Sequence, residues 1–208
     1  MIVVVDYIGN LGSVLNMLKR IGVDARSSSD PEVVAEADRV ILPGVGAYRA
    51  GMESLEQQGL VPALRHAAME RRVPFLGFCL GMQLLVDGSD EGDGTAAGLG
   101  WIPGWCQRLE PISGLRVPQM GWNRIETLRS HYLVEDLPPG SRFYFVHTFE
   151  VKCEDSDDVV AVADYGGTVS AVIARDNVVG TQFHPEKSHK FGLALLTRFA
   201  DTSIRAAG

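Results

Sequence analysis

Short apolar runs alternate with amphipathic stretches along the first 85 residues of the chain. The runs have the length and composition of buried strands, and they cover residues 1–6, 39–42 and 73–78. The stretches between them repeat apolar residues at the helical period, as do Leu11, Val14, Leu15 and Leu18. Strands that alternate with helices in this way predict an α/β fold, with a mostly parallel central sheet and helices on both of its faces.

Capping signals and a later change of pattern extend this prediction. Asp30-Pro31-Glu32 combines an N-cap residue with a proline in the first turn, so a helix is expected to begin there. Another helix is predicted over residues 60–72 and a last one over 188–200. Residues 88–100 are rich in Gly, Asp and Ser and are expected to form a loop. From about Trp101 onward, short strands predict an antiparallel extension of the sheet.

Composition limits the classes of function. The chain has 208 residues, of which 46% are hydrophobic, so residues 1–208 are expected to form a single domain with a substantial core. A net charge of −7 without a basic patch argues against a nucleic-acid partner. No apolar run approaches the ~20 residues that cross a bilayer, and the N-terminus lacks the basic region of a signal sequence. Three cysteines without a Cys-x-x-Cys pair indicate a reducing compartment, so a cytoplasmic protein with no membrane association is expected.

Cys79 lies in a Gly-x-Cys-x-Gly frame, between a predicted strand and an apolar, helix-compatible stretch that runs through Val86. This is the pattern of a nucleophile elbow, in which Gly77 and Gly81 let the backbone turn sharply and lift the nucleophile above the edge of the sheet. A helix N-terminus at the cysteine would favour thiolate over thiol. The alternative is an inert cysteine in a glycine-lined packing site.

A second motif, His184-Pro185-Glu186, follows a predicted strand over residues 178–183. Imidazole titrates in the range that a base for a cysteine nucleophile needs, and a nearby carboxylate would hold its tautomer. We therefore predict a catalytic triad of Cys79, His184 and Glu186. A metal site that includes His189 is the alternative, but no spacing here matches a zinc signature, and we expect no metal and no organic cofactor.

A glycine-rich turn, Pro43-Gly44-Val45-Gly46, follows another predicted strand. Acyl transfer through a tetrahedral intermediate needs N–H donors for the developing oxyanion. In elbow enzymes one donor belongs to the residue after the nucleophile, here Leu80, and another to a loop after a neighbouring strand. Val45 and Gly46 are therefore the predicted loop donors. A phosphate-binding loop is the alternative, but the turn lacks the Gly-Lys-Ser/Thr ending of such loops.

Together these motifs resemble the class I (triad) glutamine amidotransferases, over essentially the whole chain. Within that family they look like the glutaminase subunits of imidazole glycerol phosphate synthases, on the basis of Val117-Pro118-x-Met120-Gly121-Trp122-Asn123, Tyr144-Phe145-Val146-His147 and Phe183-His184-Pro185-Glu186-Lys187-Ser188. The resemblance implies hydrolysis of glutamine through a Cys79 thioester. It also implies a heterodimer in which a cyclase subunit, a (β/α)8 barrel of histidine biosynthesis, receives the ammonia.

The same resemblance suggests roles for residues outside the triad. Gly44 and Gln83 are expected to contact the substrate glutamine, and Asn10, Trp122 and Lys187 are expected on the face toward the barrel. The residues alone leave open whether Gln83 is a surface side chain and whether His147 is a core histidine or a functional one.

One loop departs from the family pattern. The family usually has Asp-Tyr-Gly-x-Gly-Asn, whereas this chain has Asp6-Tyr7-Ile8-Gly9-Asn10, which is one residue shorter. The cysteine chemistry is unaffected, but a second partner stays open: a barrel that aminates a surface-polysaccharide sugar, served by a paralogous glutaminase. A peptidase, a redox chaperone or an inactive interaction module of the elbow-cysteine class is a more distant alternative, which the intact triad and the His-Pro-Glu order disfavour.

Overall fold

An eight-stranded sheet forms the centre of the chain in a computed structural model, which describes residues 1–9, 11–110, 112 and 114–201. The strands of the described residues are β1 (Ile2–Val5), β2 (Ala25–Ser28), β3 (Arg39–Leu42), β4 (Phe75–Phe78), β5 (Gly88–Ser89), β6 (Ala96–Ala97), β7 (Gly104–Arg108), β8 (Gln119–Arg124), β9 (Glu126–Thr127), β10 (Arg142–His147), β11 (Phe149–Cys153), β12 (Val159–Asp164), β13 (Thr168–Arg175) and β14 (Val178–Thr181). The central sheet has the order β2-β1-β3-β4-β14-β13-β12-β9. Its first five strands run parallel, and the last three continue it in antiparallel fashion. The predicted fold class is confirmed.

Helices cover both faces of this sheet. The α-helices of the described residues are α1 (Gly12–Arg20), α2 (Pro31–Ala35), α3 (Tyr48–Gln57), α4 (Leu60–Arg65), α5 (Leu80–Gln83) and α6 (His189–Ala200). The predicted cap of α2 is present, since the Asp30 side chain accepts the Glu32 N–H at 2.9 Å. Within the part of the chain that the structure describes, no helix has both the length and the apolar character to cross a membrane.

Alternate residues of β1 show why both faces of the sheet are buried. Val3 and Val5 belong to a core with residues of α2, α3 and α4, whereas Ile2 and Val4 belong to a second core with residues of α1 and α6. Each buried aliphatic side chain of this kind contributes about 1.5–3 kcal/mol relative to an exposed one. The parallel strands are therefore firmly placed, and their carboxyl ends meet at one edge of the sheet.

The segment 88–100, which we predicted to be a loop, contains β5 and β6. These strands belong to a four-stranded sheet of order β11-β7-β5-β6, in which β5 runs parallel to β7 and the other pairs are antiparallel. Each strand has only two residues, and the residues around them are polar. The alternation of apolar and polar positions that indicates a strand therefore cannot be seen in this segment.

Two predicted helices end early. The apolar stretch after Cys79 leaves the helix at Gln83, because loop N–H groups take the next carbonyls: Leu99 donates to Leu84 O and Trp101 to Leu85 O, both at 2.8 Å. Within residues 60–72, α4 continues as a π-helical turn over His66–Glu70. That turn is followed by Arg72 at φ +53°, a left-handed conformation that ends the helix.

Candidate active site

A cavity opens where the carboxyl ends of the parallel strands meet, the usual place for a ligand site in an open α/β sheet. It encloses about 410 Å³, which is within the range of small-molecule sites. Several residues predicted from the sequence line it: Val45, Gly46, Cys79, Gln83, His184 and Lys187. The fold thus brings together three motifs that lie far apart along the chain.

Cys79 lies at a sharp turn between β4 and α5. Its backbone has φ +48° and ψ −106°, a conformation that a non-glycine residue rarely adopts and that is typical of functional sites. A Cβ atom on Gly77 would lie 2.5 Å from Gly81 O, and one on Gly81 would overlap Leu42 O. Both flanking glycines are therefore needed for close backbone packing. The cysteine is 7% exposed and lines the cavity, as an elbow nucleophile would.

His184 and Glu186 form a buried hydrogen-bonded pair directly after β14. Glu186 Oε1 lies 2.7 Å from His184 Nδ1. The backbone of His184 is also fixed, because its N–H donates to Tyr144 O at 2.9 Å and its carbonyl accepts from Ser188 Oγ at 2.6 Å. Since Nδ1 is occupied, Nε2 is the free ring atom: it is buried and has no regular hydrogen bond among the described residues.

The neighbours of His184 determine its charge. Burial lowers the pKa of His184, but Cys79 and Glu186 outweigh burial and raise the pKa to about 9. At neutral pH the ring is therefore protonated and positively charged, and Cys79 and Glu186 are the two neighbours that stabilise this charge. Such a ring can donate a proton to a leaving group.

His147 also lines the cavity, with both ring nitrogens engaged. Nδ1 lies 2.9 Å from Phe149 O, and Nε2 lies 2.9 Å from Gln119 Oε1. Burial lowers the pKa of His147 to about 4, and the proton on His184 contributes in the same direction. His147 is therefore neutral at physiological pH and carries a single N–H. It donates from Nδ1 to Phe149 O, so Nε2 accepts and the Gln119 amide turns its NH₂ group toward it. Of the two interpretations left open by the sequence, the geometry favours a satisfied, structural histidine that shapes the wall of the cavity.

The glycine-rich turn after β3 packs directly on the elbow. Gly46 has φ +104°, which glycine adopts without strain, and both Val45 and Gly46 line the cavity. A Cβ atom on Gly44 would lie 2.6 Å from Leu80 Cβ and closer still to Gly81 N. Leu80 is the first residue of α5, so its N–H has no partner within the helix. The N–H groups predicted to bind the oxyanion thus belong to two segments in backbone contact.

Gln83 is buried, with 6% exposure, so the surface alternative for this residue is wrong. Its Nε2 donates to Phe149 O at 3.0 Å and to Gln182 Oε1 at 3.2 Å. The side chain is held rigidly at the wall of the cavity. Contact with glutamine at this position stays a prediction.

Glu91 is a cavity residue that the sequence did not point out. It lies between β5 and β6, and its Oε2 accepts the Tyr48 N–H at 2.6 Å, at the start of α3. It brings a carboxylate to the cavity, a group that suits an ammonium ligand. In the sequence nothing distinguishes Glu91 from Asp90 and Asp93, which are acidic residues of the same polar segment.

The residues predicted on the partner face have different environments. Trp122 is 43% exposed, its ring stacks on His189 with centroids 5.4 Å apart, and the Arg142 guanidinium lies 5.8 Å from its centroid. Lys187 lines the cavity, and its place on the partner face stays a prediction. Asn10 lies outside the described residues.

The metal alternative finds no matching geometry. His189 stacks on Trp122, and His184 Nδ1 is bonded to Glu186. Over the described ranges, no cluster of three or more His, Cys, Asp or Glu side chains could hold a metal ion.

An elbow cysteine, a His–Glu pair and a glycine-rich turn at one edge of a mostly parallel sheet define the class of α/β enzymes with a nucleophile elbow. Comparison with known proteins narrows this class. Residues 3–201 match the family model described as glutamine amidotransferase class-I. The chain therefore belongs to the class-I glutamine amidotransferase family, and within it to the group of HisH subunits, as the relatives below show.

Two relatives are similar along nearly their whole length. The chain is 46% identical over 202 residues to imidazole glycerol phosphate synthase subunit HisH 2 of Pseudomonas aeruginosa, covering 97% of this chain and 99% of that protein. It is 48% identical over 208 residues to subunit HisH of Syntrophotalea carbinolica, covering 97% and 100%. The solved structure of PurLQS from Thermotoga maritima has a TM-score of 0.73 at 20% identity, over 95% of this chain and 96% of that one, which supports the fold.

Proposed function

We propose that this chain is the glutaminase subunit of an imidazole glycerol phosphate synthase. It hydrolyses glutamine to glutamate and ammonia and supplies the ammonia to a cyclase subunit. The observation that carries this proposal is the strained Cys79 in one cavity with a His184–Glu186 pair at 2.7 Å. The HisH relatives, at 46% and 48% identity, favour this synthase over a partner that aminates a sugar.

The first half of the reaction forms a thioester. The Cys79 sulfur attacks the carboxamide carbon of glutamine, a C–S bond forms, and negative charge moves to the oxygen. The N–H groups of Leu80 and of the 45–46 turn bind that oxygen. His184 then gives its proton to the amide nitrogen, the C–N bond breaks, and ammonia leaves.

The second half needs His184 as a base. Once the sulfur is part of a thioester, it no longer raises the pKa of His184, while burial continues to lower it. The ring can then take a proton from the water molecule that attacks the thioester. The C–S bond breaks, Cys79 leaves as a thiolate beside the His184 ring that now holds the proton from water, and glutamate leaves, which restores the state before attack. Glu186, bonded to Nδ1, keeps Nε2 as the reactive nitrogen in both halves.

The cavity also offers groups for the amino-acid end of glutamine. The Glu91 carboxylate suits the α-ammonium group, and Gln83, which also lines the cavity, is proposed to confine the chain of the substrate. A contact with Gly44, the residue before the lining residue Val45, is proposed beside it. A Glu91→Gln substitution should therefore raise KM for glutamine more than it lowers kcat.

We further propose a (β/α)8-barrel cyclase as the partner, docked on a face that includes Asn10, Trp122 and Lys187. The exposed aromatic ring of Trp122 supports this, since such rings are common anchors of interfaces. Residues 1–208 would act as one domain, which the family match over residues 3–201 supports. Three free cysteines support work in the cytoplasm.

The deciding experiment combines the chain with the histidine-pathway cyclase subunit and supplies glutamine and the formimino ribotide precursor. Glutamine-dependent formation of imidazole glycerol phosphate is expected. Cys79→Ala should abolish this product with glutamine but keep it with added ammonia, because the cyclase needs only ammonia. Full glutamine-dependent activity of Cys79→Ala would remove the mechanism. Activity found only beside a sugar-aminating barrel would remove the assignment.

A further inference from the structure

We propose that Gln182 is a further catalytic residue, whose side-chain amide donates a hydrogen bond to the Cys79 sulfur and connects that sulfur to Gln83. The inference rests on the proposed role of Cys79 as the nucleophile and deepens it. Gln182 lies between β14 and His184, and its side chain is fully buried. A buried amide of this kind is retained only when its polar atoms are satisfied.

A chain of three contacts runs from the wall of the cavity to the nucleophile. Gln83 Nε2 lies 3.0 Å from Phe149 O and 3.2 Å from Gln182 Oε1. Gln182 Nε2 in turn lies 3.6 Å from Cys79 Sγ, a distance at which sulfur accepts a hydrogen bond. The backbone of Gln182 is fixed as well, because its N–H donates to Ala171 O at 2.9 Å.

The Phe149 carbonyl decides which way both amides point. A backbone carbonyl can only accept, so the Gln83 atom beside Phe149 O must be the NH₂ group. The same NH₂ group faces Gln182, so the Gln182 atom that it meets must be the oxygen. The remaining Gln182 atom, which faces Cys79, is therefore the NH₂ donor. The direction of the hydrogen bond to sulfur follows from this chain of contacts.

A donor at this place favours the reactive form of the cysteine. Hydrogen bonds to a charged acceptor are about twice as strong as neutral ones, so Gln182 stabilises thiolate more than thiol. The Val146 carbonyl, 3.8 Å from Sγ, acts in the opposite sense, because only a thiol can donate to it. Gln182 therefore counters a contact that would hold the proton on sulfur.

Other groups around Cys79 also influence its charge. They are the protonated His184, the charged side chains of Lys187 and Glu91, and the neutral Tyr7, His147 and Cys106. A substitution at Gln182 leaves all of these in place. A difference between such a variant and the parent chain therefore reports on the amide alone.

The test measures alkylation of Cys79 by iodoacetamide as a function of pH, with the labelled peptide identified by mass spectrometry. It uses the full chain and needs neither partner nor turnover. Cys106 and Cys153 do not interfere near neutral pH, because burial raises the pKa of each to about 12. Gln182→Met keeps the volume and removes the donor. We expect the pH of half-maximal alkylation to rise by about one to two units, the effect of a hydrogen bond to a charged group.

Two further variants make the result decisive. Gln182→Glu keeps the shape of the side chain but places an acceptor against the sulfur, so the pH of half-maximal alkylation should rise at least as far. In the double variant Gln83→Met/Gln182→Met, the shift should equal that of Gln182→Met alone, because Gln83 acts through Gln182. Unchanged pH profiles in both single Gln182 variants would overturn the hydrogen bond. A clearly larger shift in the double variant than in Gln182→Met alone would overturn the connection to Gln83.

Asn177→Leu is the matched control. It removes another buried side-chain amide, one that donates to Ala68 O and Val73 O at 2.8 Å each, at the amino end of the strands. Its alkylation profile should match that of the parent chain, and an equal shift in this variant would overturn the proposal. If Cys79 of the parent chain were not labelled at all, the proposed nucleophile would be wrong. Labelling with an unchanged profile in the Gln182 variants would refute only the role of Gln182.

Discussion

Replacing Glu186 with glutamine tests what sets the charge on His184. The substitution keeps the size of the side chain and an oxygen that can accept from Nδ1, but it removes the negative charge 2.7 Å from the ring. The Glu186 side chain is 8% exposed and that of His184 is 2% exposed, so water screens their interaction little. The variant therefore isolates the electrostatic part of the contact.

The pKa of His184 gives the size of the expected effect. Its rise from 6.5 to about 9 corresponds to about 3 kcal/mol in favour of the protonated ring, after burial has already lowered the pKa. Cys79 and Glu186 share this contribution. If the two contribute similarly, loss of Glu186 should lower the pKa of His184 by about one unit and, at alkaline pH, kcat/KM about tenfold. KM should change little, because Glu186 acts through His184 rather than on glutamine.

Steady-state glutaminase rates of the complex with the cyclase subunit, measured from neutral to alkaline pH, test this directly. The alkaline limb of kcat/KM, which reports loss of the His184 proton in the free enzyme, should move toward neutral pH by about one unit in Glu186→Gln. Ammonia-dependent synthesis by the same preparation checks folding and assembly. Glu150→Gln is a matched control, since Glu150 is also a buried carboxylate but pairs with Lys152 at 2.8 Å. An alkaline limb that stays in place in Glu186→Gln would refute the reasoning.

Three further changes test other parts of the molecule. Gly44→Ala forces a Cβ atom against Gly81 N, so it should cost about 1–3 kcal/mol in stability and lower kcat, and normal values in thermal unfolding and kinetics would contradict this. Trp122→Ala should weaken the complex about 30-fold in calorimetric titration, the effect of a hot-spot loss of about 2 kcal/mol, with unchanged Tm; retained affinity would place the ring outside the interface. His131→Asn keeps an acceptor for the Leu133 N–H but removes a ring whose pKa burial lowers to about 4. The unfolded histidine binds a proton below pH 6.5, whereas the folded one does so only near pH 4. As pH falls through this window, the free energy of unfolding of the parent chain should therefore fall by up to about 3 kcal/mol more than that of the variant. Curves of stability against pH that run parallel for the two chains would contradict a neutral His131.

The strands of the central sheet could be predicted because the sheet is buried on both faces. Such strands must be continuous apolar runs, and the runs over residues 1–6 and 73–78 contain β1 and β4 with small differences at their ends. Strands β5 and β6 could not be predicted in the same way. Two residues show no periodicity, and β5 pairs not only with β6 but also with β7, which lies further along the chain.

The residues of the candidate site likewise fall into two groups, those that the sequence predicts and those that it does not. Cys79 and His184 each follow a strand of the parallel sheet, so topology alone brings them to one edge. Glu91 lines the cavity while it accepts the N–H at the start of α3, and Gln182 turns its NH₂ group toward the sulfur because the Phe149 carbonyl fixes the amide orientation of Gln83. These positions follow from contacts distant in sequence, and no local pattern distinguishes such residues from ordinary polar ones.

Backbone contact explains why glycines recur in both motifs of the site. Gly44 and Gly81 face each other, and a side chain on either would push the 43–46 turn away from the elbow. Leu80 N–H and the turn could then no longer be close enough to bind one oxyanion, since such donors must lie about 2.7–3.1 Å from the same oxygen. Gly44 therefore contributes to the proposed chemistry by setting a distance, whether or not it also touches glutamine. The glycines that identify the two motifs in the sequence are thus the residues that let the backbone of the 43–46 turn pack against the backbone of the elbow.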